Sequence, residues 1–291
     1  MTVEEIEAGA KKLCELFRGK DPFFIGRFGT IELETSYTWV NGGGGAYPHY
    51  IIEQIQRNAG VFPSSWPSIS AWAEEYVMSL RSLNTVAAAW YKPFERIEHT
   101  MLSKFAPKAV RHPLRSLEPY YVPSELRWTQ HLAGRKVAVV SSFTKTIQTQ
   151  LYKLDKIWTG DRAGLIPADV DWKFVQTGYA PLLALGKAGW PTGVNTWQDA
   201  VDSVVARVVE SGAEIALVGC GGLGLIIGNR LRQKGVSVII LGGAIQVLFG
   251  IKGKRWAQHV IISGFWNEHW VWPAAEEVPK GAELVEGGCY W

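Results

Sequence analysis

Short apolar runs alternate with amphipathic stretches throughout the C-terminal half of the chain. The apolar runs predict β-strands over residues 136–141, 172–176, 214–219 and 236–241. The stretches between them predict helices over residues 146–156, 199–210 and 223–234. Because strands that alternate with helices are typical of a mostly parallel sheet with helices on both faces, we expect a Rossmann-like α/β fold. Ligands in such sheets bind beyond the carboxyl ends of the strands.

The N-terminal half has a less regular pattern. It predicts helices over residues 3–19, 31–40, 50–58 and 69–82, and strands over residues 22–26 and 85–90. A proline-interrupted stretch, residues 112–123, connects the halves, and its two tyrosines indicate that it is packed rather than a free linker. A chain of 291 residues fits one large domain. We therefore predict a single domain over residues 1–291, with halves 1–123 and 124–291.

A run of four glycines, residues 42–45, interrupts the pattern of the N-terminal half. Consecutive glycines cannot hold a regular element, so the run predicts a flexible loop. Loops that follow a strand and a helix often bind ligands, and the run is therefore a candidate lid.

Composition and charge exclude several classes of protein. Apolar residues make up 47% and charged residues 20% of the chain, as in globular proteins. The net charge is only +3 and no basic run could follow a nucleic-acid backbone, so nucleic acid is not an expected partner. The N-terminal 20 residues are amphipathic, unlike a signal peptide, and no apolar run approaches the roughly 20 residues of a membrane span.

Cysteine and tryptophan usage refine this picture. The three cysteines have spacings that match neither a zinc site nor a disulfide framework, which indicates reduced thiols and a cytoplasmic protein. The 14 tryptophans are unusually many. We expect roughly two thirds of them in the core and the others to stack on sugar rings or bases. Whether the chain forms a homo-oligomer stays open.

The turn from Gly219 to Gly224 fits the pattern G-x-G-x-x-G between a predicted strand and a predicted helix. Such a turn brings a phosphate to backbone N–H groups at a helix N-terminus, so Gly219, Gly221 and Gly224 are candidate contacts. The alternative is that these glycines only allow tight packing of strand and helix. A dinucleotide fold also needs an acidic residue after the next strand, which here ends at Gly242 and Gly243 without one. This favours a phosphate-bearing ligand other than NAD.

Residues 141–146 form a second candidate anion site. They follow a predicted strand, open a predicted helix and include Ser142 and Lys145. Hydroxyl groups, N–H groups and a cation at such a position suit an anion. An ordinary helix cap explains the same residues equally well.

The segment 250–256 places three cations next to a tryptophan between glycines. Its Lys252, Lys254 and Arg255 are suited to clamp a diphosphate. The alternative is a solvated basic turn. The segment follows directly after the strand that ends at Gly242 and Gly243, which favours the functional interpretation.

An arginine and two carboxylates follow the first predicted strand, at Arg27, Glu32 and Glu34. Carboxylates at a strand end can hold a divalent cation or act as a general base. The two glutamates share a face only if this segment is extended, not if it is helical. The alternative is a helix whose first turn is acidic to suit its dipole.

Several segments together resemble the GT-D-type glycosyltransferases, in which a strand ending in an R-F-G-D-G-E-like motif opens a single Rossmann-like domain. The C-terminal segments look most like a bacterial branch associated with polysaccharide gene clusters. The resemblance runs through residues 24–32, 58–63, 117–120, 137–148, 217–224, 241–256, 267–270 and 285–291.

The resemblance implies transfer of a hexosyl group from a nucleotide diphosphate sugar to a hydroxyl of a glycan, with Mn²⁺ or Mg²⁺ as cofactor. The family's Asp-x-Glu pair serves donor binding, and Arg27, Gly29 and Glu32 match its motif. The aspartate position is Thr30, whose neutral hydroxyl is a weaker metal ligand than a carboxylate. Metal dependence, with Glu32 and Glu34 as the ligands, therefore stays open.

On this reading Glu32 is the base or the metal contact. Glu118, in the aromatic stretch between the halves, is a second candidate base. Arg27 and the basic segment 250–256 would hold the diphosphate, and the glycines of 219–224 would add backbone contacts. Two other classes remain: a nucleotide-dependent oxidoreductase, which the glycine pattern alone suggests, and a non-catalytic nucleotide-sugar or glycan-binding protein, which Thr30 suggests.

Overall fold

The computed structural model of the protein describes residues 2–42, 47–88 and 91–291. Within them, seven parallel strands form one sheet in the order β3-β2-β1-β7-β6-β4-β5. The strands are β1 (Phe24–Arg27), β2 (Thr85–Ala87), β3 (Val110–His112), β4 (Lys136–Ser141), β5 (Asp171–Gln176), β6 (Ile215–Gly219) and β7 (Ser237–Ile240).

The first helix precedes the first strand, and the helices after it connect the strands or follow β7. They are α1 (Val3–Leu16), α2 (Thr30–Gly42), α3 (His49–Arg57), α4 (Trp66–Leu80), α5 (Glu95–Phe105), α6 (Leu114–Leu117), α7 (Thr144–Leu151), α8 (Leu154–Ile157), α9 (Pro181–Ala184), α10 (Trp197–Glu210), α11 (Gly224–Gln233), α12 (Ala244–Leu248), α13 (Lys254–Ala257) and α14 (Val260–Ser263).

Helices cover both faces of the sheet, which confirms the predicted α/β architecture. On one face, residues of α4, α10 and α11 pack with apolar strand residues in a core that includes Trp72 and Trp197. On the other face, residues of α1, α7 and α12 pack in a second core that includes Trp128 and Trp158. All four of these tryptophans are buried, so the hydrophobic effect of large aromatic side chains stabilises both layers.

The two halves of the chain share the sheet. Strand β1 pairs with β2 on one side and with β7 on the other, and the register of Ile25 opposite Ile239 joins the halves. The carboxyl ends of β1 and β7 therefore lie side by side, although more than 200 residues separate them in the chain. This adjacency brings the two sequence motifs that follow these strands to one edge of the sheet.

Most predicted elements are present, with differences at their ends. The strand predicted over 136–141 has the same bounds as β4. The helix predicted over 146–156 is wrong as one element, because it is interrupted between α7 and α8. Strand β3 was not predicted: it has only three residues at the edge of the sheet, and its Val110 and Arg111 are exposed, so it carries no buried apolar run.

Two predictions fall partly on positions outside the described residues. Of the predicted glycine lid, only Gly42 is described, as the last residue of α2, and residues 43–45 lie outside. The end of the strand predicted over 85–90 also lies outside, at residues 89 and 90. In the described part of the chain, no helix combines the length and the apolar character that a membrane crossing requires.

Candidate active site

A cleft of about 1010 Å³ opens at the carboxyl ends of the strands. It is lined by residues that follow β1, β4, β6 and β7, by residues of the stretch between the halves, and by the C-terminal segment. Twelve predicted site residues line it: Arg27, Gly29, Thr30, Glu32, Glu34, Glu118, Ser142, Gly219, Gly221, Gly242, Gly243 and Arg255.

Four predicted site residues do not line the cleft. Gly224 opens α11, where a Cβ would lie 3.5 Å from Ile240 Cγ2, so its role is close packing against β7. Lys252 Nζ lies 5.5 Å from the centre of the Trp266 ring. Lys145 and Lys254 make ion pairs elsewhere on the surface.

The ion pairs of these two lysines are exposed. Lys145 Nζ lies 3.7 Å from Glu276 Oε1, and Lys254 Nζ lies 3.0 Å from Glu283 Oε1. Of the cations of the basic segment 250–256, only Arg255 lines the cleft. The predicted clamp of three cations is therefore reduced to one.

Three backbone N–H groups of the glycine turn are used by the protein itself. Gly222 N–H donates to the Ala59 carbonyl at 2.8 Å, and Leu223 N–H donates to the Cys220 carbonyl at 3.1 Å. Gly224 N–H donates to the Gly221 carbonyl. These bonds favour the packing interpretation of the turn over a cradle of free amides.

Close packing also explains why Gly221 is a glycine. Its φ is +45°, and a Cβ there would lie 2.8 Å from the Ala59 carbonyl oxygen. An L side chain would therefore be strained both by the backbone conformation and by the contact. The turn contributes the surface of Gly219, Cys220 and Gly221 to the cleft.

The second predicted anion site already binds an anion, and that anion belongs to the protein. At the start of α7, Lys145 N–H donates to Glu277 Oε1 at 2.7 Å and Thr146 N–H donates to Glu277 Oε2 at 3.2 Å. The Thr146 hydroxyl also donates to this carboxylate, which is almost fully buried. The helix-cap alternative therefore describes this segment, with Glu277 as the capping group. Ser142 faces the cleft, where its hydroxyl accepts from Tyr179 at 2.8 Å.

Arg27 connects the carboxyl ends of the neighbouring strands β1 and β7. It is the last residue of β1, and its Nη1 donates to the Leu241 carbonyl, just after β7, at 3.0 Å. A Cβ at Gly242 would lie 3.5 Å from this nitrogen, and Gly242 has a φ of +55°. The turn after β7 thus allows the guanidinium to lie against its backbone at the floor of the cleft.

The Glu32 carboxylate lies in the first turn of α2 and lines the cleft. Burial raises the pKa of Glu32, and the nearby Glu286 carboxylate raises it further, while Arg27 acts in the opposite direction. Burial thus opposes charge on Glu32, while a backbone hydrogen bond and then the Arg27 cation favour it.

The two glutamates predicted as metal ligands do not form a pair. Because α2 begins at Thr30, Glu32 and Glu34 point in directions about 200° apart around the helix axis. Glu34 Oε1 accepts from the Tyr50 hydroxyl at 2.8 Å. Among the described residues, no group of three or more His, Cys, Asp or Glu side chains could hold a metal ion. Glu32 and Glu34 therefore do not fit a metal site built from protein side chains.

Glu118 is a buried carboxyl group that lines the cleft. It directly follows α6 and is 8% exposed. Burial raises its pKa to about 7, although Arg27, the Tyr120 hydroxyl and Arg115 each lower it. A carboxyl group with this pKa exchanges protons near neutral pH, which is the property of a general base or acid.

Arg255 is held by the C-terminal segment. Its guanidinium lies 4.7 Å from the centre of the Tyr290 ring, and its Nη1 donates to the Tyr290 hydroxyl at 3.2 Å. Its Nη2 pairs with the Glu286 carboxylate. Burial lowers the pKa of Arg255, but Tyr290, Cys289 and Glu286 together raise it above its usual range. Arg255 is therefore a permanent, oriented cation.

Several lining residues were not predicted as site residues. The cleft wall also includes Arg115 and a set of aromatic side chains, Tyr91, Phe94, Tyr121, Trp190, Trp256 and Tyr290. The proline-interrupted stretch 112–123 signalled part of this wall, because its tyrosines indicated packing. Nothing local in the sequence signals Arg115, which acquires its position only when β3 joins the edge of the sheet.

Comparison of the chain with protein-family models, with curated proteins and with solved structures gives no significant match. The resemblance to the GT-D-type glycosyltransferases therefore rests on sequence motifs alone.

Proposed function

We propose that this protein is a glycosyltransferase that moves a sugar from a nucleotide diphosphate sugar to a hydroxyl of a glycan acceptor. The observation that carries the proposal is the juxtaposition of Glu118, a carboxyl group with a pKa near neutrality, with the cations Arg27 and Arg255 in one cleft. Sugar transfer needs both a base for the acceptor and positive charge for the leaving group.

Arg27 and Arg255 would neutralise the diphosphate. In the transfer step, the acceptor oxygen forms a bond to the anomeric carbon while the bond from that carbon to the diphosphate oxygen breaks. Negative charge then accumulates on the leaving nucleoside diphosphate. Two guanidinium groups can each make paired hydrogen bonds to phosphate oxygens, which stabilises this charge without a metal ion.

Glu118 would accept the proton of the acceptor hydroxyl. In its ionised form the carboxylate takes this proton as the new glycosidic bond forms, so the proton ends on Glu118 and the charge on the leaving group. Its burial supports this role, because a base whose pKa lies near the working pH is both available and strong enough. Glu32 is the alternative base, and the pH dependence of transfer in Glu118→Gln and Glu32→Gln separates the two.

The size and the aromatic wall of the cleft suit two sugar-bearing ligands. Ligand pockets are typically about 300–1,000 Å³, and this cleft of about 1010 Å³ reaches the upper end. Aromatic faces such as those of Tyr91, Trp190 and Trp256 offer apolar surface on which sugar rings or a nucleobase can stack. A transferase needs room for donor and acceptor together.

Thermal unfolding in the presence of candidate donors tests the proposal. A ligand that binds only the folded state raises the unfolding midpoint. We expect at least one of UDP-, GDP- or dTDP-sugars to do so, without a requirement for Mn²⁺, and NAD(H) and NADP(H) to have no effect. The same donor should then be consumed in the presence of a glycan acceptor.

Two results would redirect the interpretation. A shift with NAD(H) or NADP(H) but with no nucleotide sugar would contradict the proposal in favour of an oxidoreductase. A shift with a nucleotide sugar that is neither transferred nor hydrolysed would favour a non-catalytic binding protein, the alternative that Thr30 suggests.

A further inference from the structure

One wall of the cleft carries an arginine stacked on a tyrosine. The Arg115 guanidinium lies 5.0 Å from the centre of the Tyr121 ring, and both residues line the cleft. They flank Glu118 in the chain, and the Arg115 charge lowers the pKa of that carboxyl. The arginine, the tyrosine and the candidate base therefore share one part of the site.

Arg115 differs in its charge balance from Arg255 and Arg57, two other arginines that line the cleft. Arg255 is paired with Glu286, and Arg57 lies 3.6 Å from Glu53. In the part of the chain that the structure describes, no carboxylate oxygen lies within 4.0 Å of a nitrogen of Arg115. Its side chain is exposed, so the cation is accessible to a ligand in the cleft.

Two more arginines add positive charge behind this wall. Arg162 Nε donates to the Tyr120 carbonyl at 2.9 Å, and Arg127 Nε donates to the Val122 carbonyl at 3.0 Å. Both hold backbone groups of the Tyr120–Val122 region through bonds to neutral carbonyls, and the Glu125 and Asp161 carboxylates offset part of the Arg127 charge. Arg115 and Arg162 both lower the pKa of Tyr121, so both charges are felt at the Tyr121 hydroxyl.

The Tyr121 hydroxyl adds a donor to this wall. Burial raises the pKa of Tyr121 to about 12 despite the two arginines, so the hydroxyl keeps its proton at any physiological pH. A guanidinium fork and a phenolic O–H together favour a ligand that brings acceptor oxygens and negative charge.

We infer that Arg115 and Tyr121 form an acceptor subsite for a sugar that carries an anionic group, a carboxylate or a phosphate. This inference rests on the proposed glycosyltransferase function, because it assigns the wall next to Glu118 to the acceptor. Arg27 lies at the end of β1, and Arg255 lies in α13, after β7. The diphosphate of the donor would bind between them. An acceptor anchored through its anionic group at Arg115 brings its hydroxyls to Glu118, only three residues further on.

Binding of simple glycosides tests the subsite without the need for turnover. We would measure the affinities of methyl β-D-glucuronide, glucose 6-phosphate and the neutral methyl β-D-glucoside by titration calorimetry. Hydrogen bonds to a charged group support roughly tenfold to hundredfold tighter binding of an anionic sugar than of the neutral one. Preference for the uronide or for the phosphate identifies which anion the subsite takes.

Variants assign the preference to this wall. Arg115→Gln should abolish the preference for anionic over neutral sugars. Tyr121→Phe, which keeps the ring under the guanidinium, should reduce this preference. Arg18→Gln removes an exposed arginine that does not line the cleft, and should leave it unchanged. The inference is overturned if the wild type does not prefer either anionic sugar, or if Arg115→Gln retains the preference.

The outcome is separable from that of the proposed function. Nucleotide-sugar affinity of Arg115→Gln should equal that of the wild type, because the donor contacts lie at Arg27 and Arg255. Donor binding and turnover without preference for anionic acceptors would overturn the subsite alone. Anionic-sugar binding that depends on Arg115, without any nucleotide-sugar binding, would support the subsite and contradict the transferase.

Discussion

The Glu32 carboxylate occupies the space next to Gly29 that any side chain at position 29 would need. A Cβ built on Gly29 would lie 1.9 Å from Glu32 Oε2. The position of this carboxylate in the cleft therefore depends on the absence of a side chain three residues earlier. This relationship gives the glycine of the first motif a role in placing an acidic group, independent of any contact with phosphate.

Gly29→Ala should displace Glu32 from the cleft at little cost to folding. The clashing atoms are the end of a flexible side chain, which can rotate away, whereas a shift of about 1 Å among the residues that line an active site can lower turnover about a hundredfold. Sugar transfer and the unfolding midpoint would be measured together. Gly42→Ala, in the last turn of the same helix, is the matched control and should retain activity, because among the described residues no atom outside its own helix lies within 4 Å of the new Cβ. Equal activity of the two variants would contradict the prediction.

Glu118→Gln should lower transfer about a hundredfold or more, because the amide cannot accept the proton of the acceptor. In the wild type, kcat/KM should rise with pH through about 7, the pKa of Glu118, since only the ionised carboxylate acts as base. The residual activity of the variant should lack this dependence. Glu125→Gln, an exposed carboxylate outside the cleft, is the control. If Glu32→Gln instead removes the pH dependence, Glu32 is the base.

The same substitution should make stability less dependent on pH. The folded-state pKa of Glu118 is raised from 4.5 to about 7, so between these values the folded protein holds a proton that the unfolded chain has released. The stabilisation linked to this proton is complete below pH 4.5 and is lost as pH rises through about 7. Relative to the wild type, Glu118→Gln should therefore gain stability between pH 5 and 8, by up to about 3 kcal/mol. Denaturant unfolding at both pH values measures this, and a difference that does not change with pH would contradict it.

Arg255→Gln and Lys254→Gln form a matched pair, because the residues are adjacent and of equal charge but only Arg255 lines the cleft. Loss of Arg255 should weaken binding of nucleoside diphosphates roughly tenfold to a hundredfold, as expected for a charge-assisted contact. Loss of Lys254, which makes an exposed ion pair with Glu283, should have little effect. Titration calorimetry with UDP or GDP would decide, and equal losses in both variants would favour a diffuse basic surface over a specific contact.

Glu277→Ala should destabilise the protein by about 2 kcal/mol or more, because it leaves buried N–H groups at the start of α7 without an acceptor. Glu276→Ala, the exposed neighbour, should change stability little. Thermal and denaturant unfolding measure both. A small effect of Glu277→Ala would show that the capping interaction is replaced by water.

The regular elements of this protein follow from local sequence. Strand β4 is predicted closely because its continuous apolar run is typical of a strand buried on both faces, and helix α10 because its apolar positions recur about every 3.6 residues. The parallel α/β architecture follows from their alternation. Strand β3 is the exception, because its pairing with β2 at the sheet edge, rather than any apolar run of its own, makes it a strand.

The site depended on contacts between distant parts of the chain. The sequence does not indicate which of the adjacent cations Lys254 and Arg255 faces the cleft. Arg255 does so because Tyr290 and Glu286 pack around its guanidinium. The anion that caps α7 comes from Glu277, more than 130 residues away. The sequence by itself determined which residues could carry charge or donate hydrogen bonds. The tertiary structure decided which of them are buried together, and burial sets both their pKa values and their partners.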